Sequence, residues 1–220
     1  MSDILTVDQI AMLKAIGAQP EIVKAFYLTG GTPLAAFYLS HRYSEDLDFF
    51  SETEVDVAAL NVFFAESKKL LGFSKIDFQA SMNRHLFFLD YPSGTLKMEF
   101  TYFPFPRIEI GRREYDIDVD SQIDIAVNKL FTIYQRTKAR DYIDLYLLCQ
   151  QEGYSIDDLV KKARIKFDWH MDPIQLGTQF VKAREAQDVP RMITPIASEE
   201  WQQFFIEEAK KLKPSILDPS

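Results

Sequence analysis

Residues 28–50 read LTGGTPLAAFYLSHRYSEDLDFF, Leu28 through Phe50, and the rest of the chain is read outward from them. The apolar run Ala25 to Leu28 predicts a short buried strand. Thr29-Gly30-Gly31-Thr32 then makes a turn with almost no side-chain bulk. Pro33 falls where the first turn of a helix accepts it, and Leu34, Phe37 and Tyr38 give that helix an apolar stripe. Past the polar corner Ser40-His41-Arg42, the segment Asp46 to Phe50 reads as a second strand. Its carboxylates, Asp46 and Asp48, stand at i and i+2, so they leave the strand on one side with Cα atoms about 6–7 Å apart. Gly30 and Gly31 let backbone N–H groups approach a phosphate, and the following helix aims its positive end at the same place. A Gly-Gly turn alone is ordinary strand-to-helix punctuation, and an isolated Asp-x-Asp is ordinary edge-strand polarity. Occurring together, they point to a cation and a phosphate held side by side. Neither G-x-x-x-x-G-K-[ST] nor G-x-G-x-x-G is present.

Two carboxylates are an incomplete cation site, and the third is sought on a neighbouring strand. Thr95 to Thr101 alternates strictly: Leu96, Met98 and Phe100 face one way, Lys97 and Glu99 the other. Glu99 is therefore the expected third ligand, provided that it faces the same side as Asp46 and Asp48. Two like charges about 4 Å apart repel by roughly 4 kcal/mol at an effective dielectric near 20. Mg²⁺ relieves such a conflict and takes carboxylates together with phosphate oxygens and water.

Around this centre, residues 7–17 predict a helix with Thr6 as N-cap and Gly17 as its stop, and a short helix is expected near residues 21–24. Residues 55–73 form an amphipathic helix ending near Gly72. Four strand-like segments follow, 74–80, 84–90, 95–103 and 107–120, separated by turn residues. From Ser121 the pattern is helical throughout, with helices expected over 123–136, 139–151, 156–167, 173–186 and 198–212. The expected architecture is α+β: a mixed α/β half, residues 1–119, followed by an all-helical half, residues 120–220.

Composition narrows the function classes. One cysteine, Cys149, excludes an internal disulfide and fits a reducing compartment. The start, MSDILTVDQIAML, lacks the basic and apolar regions of a leader, and no apolar run is long enough to span a membrane. A cytoplasmic location without membrane attachment is expected. The net charge is −8, with 17 acids against 11 bases in residues 1–119, which argues against a wholly basic nucleic-acid surface. The three histidines are scattered, without zinc-ligand spacing. The basic run Lys161 to Lys166 reads either as a solvated helix face or as part of an RNA-docking surface.

Gly30-Gly31-Thr32 … His41-Arg42-x-Ser44-x-Asp46-Leu47-Asp48-Phe49-Phe50 resembles the first motif of the nucleotidyltransferase toxins of abortive-infection systems, the AbiEii/AbiGii type. These belong to the DNA polymerase beta-like nucleotidyltransferase superfamily. Leu96-Lys97-Met98-Glu99 matches the third-carboxylate strand. Asn128-Lys129-Leu130 … Arg136 … Arg140-Asp141-Tyr142-x-Asp144-Leu145-Tyr146 resembles the other motif, and the likeness covers roughly residues 25–150. It implies a nucleotidyltransferase-type mixed β-sheet with flanking helices, and a helical C-terminal region completing the nucleotide pocket. It further implies that Asp46, Asp48 and Glu99 hold Mg²⁺, as two ions. Gly30, Gly31 and Thr32 would hold the β- and γ-phosphates, Lys129 would touch the triphosphate, and Asp141 and Asp144 would complete the pocket. Family members often carry Asp where this chain has Glu99.

The activity expected from the resemblance is transfer of a nucleoside monophosphate from an NTP to an acceptor hydroxyl, releasing pyrophosphate. The acceptor expected is RNA, a tRNA 3′ end among the candidates, in a toxin paired with an antitoxin protein. Other readings stay open at this stage: a non-catalytic nucleotide- or partner-binding module, transfer to a small molecule or protein, or transfer of the γ-phosphate. Lys129 and Asp144 also read as a plain ion pair between packed helices. Arg42 reads equally as a phosphate contact or as a salt bridge to Glu45 or Asp46.

Overall fold

In the computed structural model residues 4–212 are described. Residues 1–3, part of the stretch read for a leader, and residues 213–220, the end of the second expected domain, lie outside them. The chain divides into two compact units, residues 1–121 and 122–220.

In the first unit, Thr6 and Gln9 form a reciprocal capping box at the start of α1, Val7–Gly17. Gly17 is not the left-handed stop its position suggests, since Ala18 closes the helix in ordinary right-handed geometry. The glycine answers to packing instead: a Cβ there would lie 1.9 Å from the Tyr115 carbonyl oxygen. Helix α2, Pro20–Ala25, claims the start of the expected first strand, so β1 is Tyr27–Thr29. A single turn, α3, Gly31–Pro33, passes into a π-helical stretch, Leu34–Leu39, that ends on Ser40 in the left-handed region. Strand β2 is Leu47–Ser51, with Asp46 just ahead of it.

Helix α4, Val57–Leu71, is N-capped by Asp56 and ended by Gly72 at φ +80°. Strands β3, Lys75–Ser81, β4, Arg84–Tyr91, and β5, Gly94–Tyr102, then run as a meander. The five strands lie in the order β1-β2-β5-β4-β3, with β2 and β5 parallel and every other pair antiparallel. One face of the sheet is apolar: Leu47, Phe49, Phe87, Leu89, Met98 and Phe100 are buried on it, with Phe49 stacked on Phe100 at 5.0 Å. Each such ring contributes about 1.5–3 kcal/mol by leaving water. The other face carries the charged residues Asp48, Lys97 and Glu99, set among Phe50, Leu86 and Phe88. The expected strand over 107–120 shrinks to a small hairpin, β6 Arg113–Glu114 and β7 Ile117–Asp118, because Tyr115 and Asp116 take positive φ and reverse the chain.

The second unit contains α5, Gln122–Gln135, α6, Ala139–Glu152, α7, Ile156–Phe167, α8, Pro173–Val181, and α9, Ser198–Lys211. The helix expected over 173–186 tightens to a 3₁₀ turn at Lys182–Glu185. Its core is aromatic, with Tyr142, Phe180, Trp201 and Phe205 fully buried. Among the described residues no helix is long and apolar enough to cross a membrane.

Candidate active site

Register decides where the acids of the first unit point. Thr29, Asp48 and Glu99 are successive cross-strand partners on β1, β2 and β5, and directly paired residues leave a sheet on the same face. Glu99 thus stands beside Asp48 on the polar face, opposite the phenylalanine layer. Lys97, one pleat before Glu99, shares that face and places its Nζ 2.7 Å from Asp46 Oδ2.

The glycine turn closes on the same acids. Gly30 has φ +84°, and a Cβ on it would sit 2.6 Å from Asp48 Oδ2. Both the backbone and the space therefore demand glycine here. At Gly31 a Cβ would lie 2.2 Å from Arg42 Nη2, so the buried Arg42 guanidinium rests against the turn; it also donates to the Tyr43 carbonyl at 3.0 Å. Thr32 donates its hydroxyl to the Asp46 carbonyl, tying the turn to the acidic strand. From α1, the Gln9 amide donates to the Ser44 and Glu45 carbonyls, both at 3.1 Å.

Glu99 is held most firmly. Arg84, at the start of β4, donates from Nε to Oε1 at 2.6 Å and from Nη2 to Oε2 at 2.5 Å, and Thr101 adds a hydroxyl at 2.8 Å. Burial alone would push the Glu99 carboxyl up, but these hydrogen bonds and the charges of Arg84 and Lys97 outweigh it and hold Glu99 below the usual carboxylate range. The oxygen donors are of the type a hard divalent cation takes. Asp46, with one partly exposed lysine on one oxygen, and Asp48 beside it fit such an ion. Glu99 has both oxygens engaged by the protein and does not fit as it stands. Among the described residues no three His, Cys, Asp or Glu side chains are grouped as a metal site.

In the second unit, Lys129 on α5 puts Nζ 2.7 Å from Asp141 Oδ1 and 2.7 Å from Asp144 Oδ2, both on α6. Arg136 adds two hydrogen bonds to Asp141 Oδ2, at 3.2 and 3.1 Å. Burial opposes charge on Asp141, yet Lys129 and Arg136 together hold its carboxyl low. A second pair, Lys166 with Asp124 at 2.7 Å, is fully buried.

Residues 13–215 match the model of the nucleotidyl transferase AbiEii toxin family of type IV toxin–antitoxin systems. The chain belongs to that family. It is an AbiEii nucleotidyltransferase, of a family defined by pairing a toxin with an antitoxin. Among relatives of this AbiEii chain, an uncharacterized protein of Aquifex aeolicus is 29% identical over 149 residues, 66% of this chain and 68% of that one. A crystal structure of a nucleotidyltransferase candidate from Helicobacter pylori superposes with TM-score 0.59 at 22% identity, covering 96% of this chain and 95% of that one. Another Helicobacter pylori structure, of JHP933, gives 0.55 at 22%, covering 95% and 93%. At that identity the likeness shows the fold alone.

Sequence reasoning missed Arg84, the Lys97 contact and Asp120, which is buried and accepts the Thr29 hydroxyl at 2.6 Å. The alternation of β5 already put Lys97 on the polar face with Glu99. Nothing local marked Arg84, whose meeting with Glu99 depends on the β4–β5 register.

Proposed function

We propose that this AbiEii chain transfers a nucleoside monophosphate from an NTP to an acceptor hydroxyl in a Mg²⁺-dependent reaction that releases pyrophosphate. The observation that carries the reading is the convergence on one sheet face of the Gly30 turn, Asp46 and Asp48. The N–H groups of Gly30 and Gly31, on a half-buried turn, are suited to the β- and γ-phosphates, with the Thr32 hydroxyl anchoring the turn and Arg42 behind it. Asp46 and Asp48 are the residues that would hold a divalent ion. When bound, the ion supplies charge to the phosphates and acidifies a coordinated hydroxyl. Lys97, exchanged from Asp46, stays on the same face as a cation for the departing pyrophosphate. The acceptor proposed is RNA, with tRNA among the candidates, and the biological role is that of a toxin held in check by its antitoxin.

The test is pyrophosphate release from each labelled NTP with Mg²⁺ and total cellular RNA, comparing the wild type with Asp48→Asn. Nucleotide bound without turnover would move the chain to a non-catalytic module. Label arriving on RNA as a nucleotide, not as a phosphate, separates nucleotidyl from γ-phosphoryl transfer.

A further inference from the structure

The polar face that carries Asp46, Asp48 and Glu99 already holds two cations of the protein's own, bound in very different ways. Lys97 meets one oxygen of Asp46, and the two side chains are 30% and 31% exposed. Such a wet, single-contact pair exchanges readily. Arg84 grips Glu99 with two hydrogen bonds, Thr101 supplies a third, and the Glu99 side chain is 9% exposed. Releasing that carboxylate would strand a buried charge. A guanidinium keeps its charge at every accessible pH, and its planar fork matches a carboxylate in a way a lysine cannot. Arg84 is also close enough to Asp48 to feel its charge. A permanent positive charge therefore lies beside the two in-register carboxylates.

We propose that Arg84, clamped on Glu99, stands in for one of the cations of the site, so that the chain binds nucleotide with a single divalent ion held by Asp46 and Asp48. This rests on the nucleotidyltransferase reading above and replaces the two ions that the family resemblance implies. Glu99 is then a positioning residue for Arg84 and not a metal ligand. The incoming ion displaces Lys97, which is weakly held, and leaves the Arg84 clamp intact.

Counting ions tests this without any turnover. The full-length protein is saturated with a non-hydrolysable NTP analogue, and bound Mn²⁺ is counted by electron paramagnetic resonance while bound nucleotide is measured on the same sample. The wild type should hold one Mn²⁺ per nucleotide. Arg84→Gln, at a half-exposed position whose folding is checked by circular dichroism, should hold two, because Glu99 is released next to Asp48. Glu99→Gln should still hold one, with its Mn²⁺ affinity changed by less than about threefold. Two ions in the wild type, one in Arg84→Gln, or loss of the ion in Glu99→Gln each overturns the proposal while leaving nucleotidyl transfer standing. Nucleotide bound without any ion, or no binding at all, overturns both.

Discussion

At the scale of single residues, Gly30 and Asp48 are mutually dependent. Gly30→Ala would force a Cβ into a positive-φ position and onto the Asp48 carboxylate. The backbone alone costs about 1–3 kcal/mol at that φ and ψ, and relief of the clash must move either the turn or the acid. Expected are a lower melting temperature and loss of pyrophosphate release well beyond what that destabilisation explains. Asp48→Asn keeps the shape and removes the charge; it should cut turnover by more than about 100-fold, the upper end for residues that merely support a metal ligand, with the melting temperature little changed. Cys149 makes a sharp control. Burial pushes its thiol up to about 12, so the native protein should resist iodoacetamide at pH 8, whereas the urea-unfolded chain should label completely. Gly30, Asp46 and Asp48 were legible because their chemistry is local: a turn without bulk, and two acids separated by one residue.

At the scale of elements, the helical pair α5–α6 turns on Lys129. Its ammonium lies between two buried carboxylates, so Lys129→Met leaves both without their shared cation and should destabilise the protein by about 3–5 kcal/mol. Arg136, half exposed on Asp141, should cost at most about 1 kcal/mol when changed to Gln. Urea denaturation of the two variants checks the ordering, and similar losses would mean that Lys129 is better solvated than its burial indicates. A Lys129–Asp144 ion pair between packed helices was one of the readings open in the sequence; that Lys129 also takes Asp141 was not. The hairpin within 107–120 was not legible either, because alternation cannot register two consecutive residues, Tyr115 and Asp116, that adopt left-handed conformations.

At the scale of the whole molecule, acid is the expected weakness. Glu99 and Asp141, one in each unit, are both held below the usual carboxylate range. An unfolded chain would take up these protons first as pH falls, so the stability they contribute is complete above about pH 4–4.5. It is lost as pH drops through their depressed folded values. The urea midpoint should therefore be flat with respect to these groups near neutrality and fall steeply below pH 4. A midpoint that rises on acidification would contradict the assignment of both ion pairs. In a bacterial host, induced expression should arrest growth and Asp46→Ala should not; normal growth with the wild type would remove the toxin role and leave the chemistry to be judged in vitro.

The α+β order of elements, the apolar and polar faces of β2 and β5, and the family follow from residues in chain order, because period-two alternation and short motifs are properties of near neighbours. What each acid meets came from the fold. Which strand lies beside β2, and in which register, depends on packing across residues 47 to 102. That register sets Asp48 next to Glu99 and brings Arg84 onto Glu99 instead of leaving the carboxylate open. A charge pattern along the chain fixes the sign of a site, and long-range pairing fixes which charges are already neutralised.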